Sequence, residues 1–549
     1  MALSCGNSRQ AIRRALAALL LSGITVAYPR PGFGQVTSPT EQREAALYQE
    51  GMRLLREKSY SQALEQFRKL EQSAPNLPQG YTGEGIALAL NGKMEEAIPV
   101  LQKAVEIDPS YWVARRELGI IDWQLSRKEA AAKELTAVVK LSPDDIPVNA
   151  ILGEYNFEIK NYTAAVQCFS KARAQVAQSF PLSLMDSEAL IKSGHPEEGI
   201  EELDRLIATP NLSPQQQFRI AWLLGDAGAY TKAIRMFNAL PADFADPFAR
   251  DYGIALAYYE DGKYADCIQS LTALKQRGIV RAELFSLLGA AQEVSGHQAQ
   301  AEDAFKSGVE HFPKEDDNYL DSATLAAKDQ DYIAAVNILT TGLQQIPENY
   351  KLFLTRGVAY SLQGDLRKAQ LDYEKAVALA PKEPSPYLAL GICFMDQNQY
   401  AAAADILREA IQKGLADVKL NYFFVDALSR QGLTASSPNY QEALATVQAA
   451  IALNPEFPYS YLQRAKLELM ASHLQEAIAD LEHAQKLDPN STAIAYQLAT
   501  AYRLAGKTAE SNKLFAQVSN MTKLQDAEFR QSTLMGVMGS ISNATYSAR

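Results

Sequence analysis

The stretch GEGIALALNGKMEEAIPVLQKAVEIDP, running from Gly83 to Pro109, sets two short amphipathic segments on either side of Asn91-Gly92. Very small residues stand at Gly85, Ala97 and Ala104. Neither segment is long enough to be a stable helix alone in water. Stability must come from neighbours, so a neighbour of the same kind should follow.

It does. Stepping by 34 residues from Ala97 leads back to Ala63 and forward through Ala131, Ala165, Gly199, Ala233, Cys267, Ala301, Ala335, Ala369 and Ala403. One step of 40 then reaches Ala443, followed by Ala477 and Ser511. Four residues beyond each small position stands a large apolar one, such as Phe67, Leu101, Leu135, Phe169, Phe305 and Tyr373. Upstream, Gly51, Gly85, Gly119, Gly153, Gly289, Gly357 and Gly391 recur in register, and downstream Pro75, Pro109, Pro143, Pro313, Pro347, Pro381, Pro455 and Pro489. Four registers kept in phase make a repeat array.

Apolar spacing of i, i+3, i+4 and i+7 in each half-unit predicts two amphipathic helices. Single glycines between them (Gly92, Gly194, Gly228, Gly262, Gly296, Gly364 and Gly506) suit the left-handed residue that ends a helix. The unit-ending proline stops the second helix and presets the next start. The small residues should let the two backbones of a hairpin approach, with the large residue wedging between neighbouring units. Each hairpin keeps one apolar face that only another hairpin can cover.

This pattern resembles the tetratricopeptide repeat family, whose unit is a helix–turn–helix of about 34 residues with small, large and proline positions in this order. The resemblance covers Glu44 to Lys523. It implies an all-α, right-handed superhelical solenoid of about 14 repeats, its inner groove lined by first helices and holding a partner protein or peptide. The lysine and asparagine arrangement by which some relatives clamp a C-terminal carboxylate does not occur at matching places.

Residues 44–176 read as a first arm and 282–522 as a second, with a C-terminal capping helix and a frayed tail over 523–549. Between the arms, 177–281 is degenerate. The unit-ending proline is missing there, and Pro181, Pro210, Pro214, Pro241 and Pro247 stand at shifted places, so weaker stacking or a bend is expected. The 40-residue step places extra residues in SRQGLTASSPNYQ, 429–441, which suits an outward contact loop or a tolerated surface loop.

The formal net charge of −11 argues against a duplex nucleic-acid binder. Arg9, Arg13 and Arg14 precede an apolar run from Ala15 to Ala27, too short to span a bilayer, in the order of a secretory signal. Cleavage fits after Ala27 or after Gly34, leaving a flexible segment to residue 43 and no integral membrane segment. The expected location is therefore periplasmic or extracellular, peripheral to an outer membrane or within an envelope complex. Cys5 precedes the apolar run and should be lost on processing; the three that remain, Cys168, Cys267 and Cys393, are odd in number and widely spaced, which suits small buried hydrophobes rather than a disulfide framework.

No catalytic constellation stands out. His195, His297 and His473 fall in separate interhelical turns, no histidine pair has metal-ligand spacing, and no glycine-rich phosphate loop occurs. No enzyme activity, metal or cofactor is expected. By register the inward first-helix positions of the third to seventh units include Arg116, Trp123, Glu154, Phe157, Glu158, Glu188, Trp222, Asp226, Tyr259 and Glu260. Aromatic rings beside carboxylates suit an extended peptide with apolar and basic side chains. The same aromatic places also serve packing against the next helix. Three roles fit: an interaction scaffold, a structural part of an outer-membrane polysaccharide or protein export assembly, and the regulatory arm of an enzyme complex.

Overall fold

Several helices begin where the sequence supplies a cap or a proline. Ser38 and Glu41 form a reciprocal capping box ahead of the helix Pro39–Arg56, satisfying two otherwise orphaned backbone donors. Pro78, Pro214, Pro384 and Pro458 occupy first helical positions, where the missing N–H costs nothing. The computed structural model describes residues 38–415, 417–518 and 525–547, so the expected export signal lies outside the described residues. The first helix starts at Pro39, earlier than the repeat register required.

The described residues form thirty α-helices and no strand. The chain divides into two compact units between Asp261 and Gly262, inside the degenerate stretch. The first unit holds six helical hairpins, from Pro39–Arg56 with Tyr60–Ser73 to Pro214–Asp226 with Tyr230–Asn238, a short extra helix at Arg173–Val176, and then the helix Pro247–Glu260. The second holds the helix Tyr264–Gln276, seven hairpins from Ala282–Val294 with Gln298–His311 to Thr492–Leu504 with Thr508–Val518, and a last helix, Gln525–Ser547. Each hairpin packs on the next within its unit, as short helices without independent stability must.

The small residue of the first helix works differently from the sequence expectation. Its closest neighbour is the large residue of its own hairpin. A Cβ added at Gly51, Gly85, Gly119, Gly153, Gly289, Gly357 or Gly391 would lie 2.3–2.7 Å from Phe67, Leu101, Leu135, Phe169, Phe305, Tyr373 or Leu407 respectively. The wedge is nonetheless shared between units: Phe67 also lies 2.3 Å from a Cβ built on Gly83 of the following hairpin. The large side chain is simply too bulky to be housed by one groove between two helices.

A second periodic contact escaped the sequence reading. The carbonyl of the unit-ending proline accepts a hydrogen bond from the fourth residue of the next unit. Tyr81 donates to Pro75 at 3.1 Å, Arg115 to Pro109 at 3.0 Å, Asn149 to Pro143 at 2.8 Å, Tyr319 to Pro313 at 3.2 Å and Tyr387 to Pro381 at 3.3 Å. Tyrosine, arginine and asparagine share only a donor at sufficient reach, which hides the pattern from a residue-type search.

In the degenerate stretch the shifted Pro181, Pro214 and Pro247 start helices instead of ending units. The small positions there trade places. Ser187 stands on the first helix, and Gly199 on the second would bring a Cβ to 2.7 Å from Ile191 and 3.0 Å from the Ser187 carbonyl oxygen. The 429–441 segment is partly folded: Leu433 is buried, and Thr434 N–H donates to the Ser437 hydroxyl at 2.9 Å. Cys267 and Cys393 are fully buried thiols and Cys168 a partly buried one. No helix among the described residues is long and apolar enough to cross a membrane.

Candidate functional site

In the first unit, first helices carry charge on their register-defined inner positions, and most of that charge is already paired. Arg116 is buried, 8% exposed, with its guanidinium held by Glu117 at 2.5 Å and Asp145 at 2.9 Å. It ties one repeat to the start of the next. Burial drives the Glu117 carboxyl upward, and Arg116 opposes that shift. Glu158 is exposed and ion-paired to Lys128, whose ammonium also stands 5.5 Å over the Trp123 ring. Glu188 pairs with Arg219 at 2.6 Å, and Asp226 with Lys192 at 2.9 Å.

These pairs bridge adjacent repeats. The bases Lys128, Lys192 and Arg219 were absent from the sequence-based set, although each stands about one period from its acid. The face is therefore mixed in sign rather than acidic. Glu154 and Tyr259 are half-buried and Glu260 is exposed. Trp222 packs edge-on against Phe237, centroids 5.7 Å apart, and against Phe218 at 6.1 Å. Phe157 meets Tyr162 edge-on at 5.8 Å. Trp222 and Phe157 are half-buried, part core and part surface, whereas Phe237 is wholly core.

The second unit has a different inner face. At matching register its first helices present Leu320, Leu354, Val358, Leu388, Ile392 and Met395, all buried in one apolar cluster with Leu534, Val537, Met538 and Ile541 of the last helix. That helix lies across Ala282–Val294, Asp317–Lys328, Tyr350–Gln363 and Pro384–Asp396. The sequence expectation here was a capping helix and a frayed tail over 523–549. The described helix runs from Gln525 to Ser547, and its apolar stripe from Leu534 to Ile541 lies on first helices of earlier repeats.

Tetratricopeptide-repeat models match residues 88–155, and also 48–111, 354–416 and 436–492. The chain carries tetratricopeptide repeats. Among curated proteins it is similar to the DnaJ homolog subfamily C member 7 homolog of Dictyostelium discoideum, 24% identical over 173 residues, which cover 29% of this chain and 32% of that protein. It is also similar to DnaJ homolog subfamily C member 3 of Rattus norvegicus, 21% identical over 350 residues, or 59% of this chain and 64% of that protein. The chain thus spans about a third to just under two thirds of the length of these relatives. Among solved structures, yeast Tom70 aligns over 91% of this chain and 96% of its own at 18% identity, with a TM-score of 0.36. The matched segments 48–155 fall in the first unit, and 354–416 and 436–492 in the second.

Proposed function

We propose that this protein is a non-catalytic interaction scaffold that holds a partner protein or extended peptide on first-helix surfaces of its repeats. The observation that carries the reading is the first unit's inner face, where half-buried rings at Trp123, Phe157 and Trp222 adjoin exposed carboxylates at Glu158, Asp226 and Glu260. Such a surface offers apolar anchoring and charge-assisted hydrogen bonding together. The Glu158–Lys128 and Asp226–Lys192 ion pairs are partly exposed and weak enough to exchange for a partner's. The basic-then-apolar segment at residues 9–27 supports export, so the partner is sought in an envelope or extracellular compartment.

The test is site-specific photo-crosslinking in cells that make the protein, from Glu158, Asp226 and Glu260, with Lys103 on a second helix as control. A discrete protein adduct from the three inner positions and none from Lys103 is the expected result. Equal labelling from all four, or none from any, would overturn the reading.

A further inference from the structure

The structure assigns the inner face of the second unit to an amphipathic helix of a partner protein, with the chain's own Gln525–Ser547 helix as a displaceable occupant of that seat. This rests on the scaffold reading and goes beyond it in naming a second surface, its ligand chemistry and its control.

The seat is apolar where the first unit's counterpart is charged. Leu354, Val358, Leu388 and Ile392 are at most 3% exposed, and they share a cluster with Leu534, Val537, Met538 and Ile541. Those four residues fall on one stripe of a helix, spaced as groove-binding helices space their anchors. Without a covering helix this stretch of the array would expose a contiguous apolar patch, which marks a binding surface.

Two further contacts fix direction and register. Phe529 stacks on Tyr459 with centroids 4.5 Å apart and on Phe423 at 5.7 Å. The neighbouring Arg530 donates from Nε to Asp396 Oδ1 at 2.5 Å. A partner segment therefore needs an aromatic residue, then an arginine, then aliphatic residues at helical spacing.

The occupant is an addition to the fold, not its foundation. The repeats beneath it have closures of their own: Gly357 with Tyr373 and Gly391 with Leu407 each meet inside a single hairpin. The fit is also imperfect, since the hydroxyls of Thr324, on a covered helix, and Thr533, on the covering one, are buried without a hydrogen-bond partner. Only residues 519–524 join this helix to the preceding one, Thr508–Val518. So short a tether gives a high effective concentration that shuts out weak competitors.

The test compares the full chain with the Leu534→Asp/Met538→Asp variant and with Arg530→Glu, using a fluorescent synthetic peptide of residues 525–547 as probe. The double variant should bind the peptide about 100-fold more tightly than the parent chain, and Arg530→Glu should show an intermediate gain. Adding Asp396→Arg to Arg530→Glu should close the seat again. Should circular dichroism show the double variant unfolded, the Arg530→Glu and Asp396→Arg pair decides alone. Equal peptide binding by parent and variants would overturn the inference. So would a parent dimer, seen by sedimentation and lost in Arg530→Glu, since the seat would then belong to a second copy. The crosslinking positions Glu158, Asp226 and Glu260 lie in the other unit, so failure there and failure here are separable.

Discussion

Phe305 lies so close over Gly289 that a Cβ on the glycine would stand 2.3 Å from its Cε1. The ring is 1% exposed and has nowhere to go. Glycine within a helix ordinarily costs about 1 kcal/mol relative to alanine, so Gly289→Ala should stabilise if propensity decided the matter. Overpacking of about 1–3 kcal/mol opposes it. Gly289→Ala is expected to lower stability by up to about 2 kcal/mol in urea unfolding, and Phe305→Leu in the same chain should recover part of the loss. A more stable single variant would show that the hairpin can open at that point.

The interhelical turns make the opposite prediction. Gly92 and Gly364 have φ of 82° and 89°, and in repeats lacking glycine Ser126, Lys160 and Gln330 are held at 63°, 61° and 62°. A left-handed conformation costs an L-residue roughly 1–2 kcal/mol. Ser126→Gly, Lys160→Gly and Gln330→Gly should each raise the melting temperature, whereas Gly92→Ala should lower it. An unchanged set would mean the turns relax freely.

Glu71 makes stability depend on pH. Burial first, then the neighbouring Glu84, push its carboxyl up to about 8 from 4.5. Between those values the folded chain holds a proton that the unfolded chain has released. Stability from this group is full below pH 4.5 and is lost as pH rises through 8. Glu71→Gln should be more stable than the parent at pH 9, and that advantage should disappear on acidification to pH 5. Parallel stability curves for the two proteins would refute this.

Thiol reactivity should follow burial. Burial pushes Cys267 up to about 12 and Cys393 up to about 11, and raises the partly exposed Cys168 as well. The thiolate is the reactive form. At pH 8 an alkylating reagent, with modified sites mapped by peptide mass spectrometry, should label Cys168 well before the other two, which should react only in denaturant. Early labelling of Cys393 would report local opening in the second unit.

The hairpins were legible because their packing is local and repeated. Gly85 and Leu101 recur at fixed spacing since every unit solves the same steric problem, and a period of 34 exposes it. The proline-carbonyl contact was hidden because it selects a donor rather than a residue type, so Tyr81, Arg115 and Asn149 look unrelated. The inner-face acids were found by register, but Lys128, Lys192 and Arg219 were not sought one period away.

The sequence by itself determined the helical hairpin, its turn and the order of the array, because those follow from contacts between residues close along the chain. Only the tertiary structure decided which inner surface is charged and which is covered. Arg530 reaches Asp396 across 134 residues, and no periodicity relates a solitary C-terminal helix to the repeats it lies on. Its seat is set by the shape and apolarity of several first helices at once, which come together only when the array is assembled.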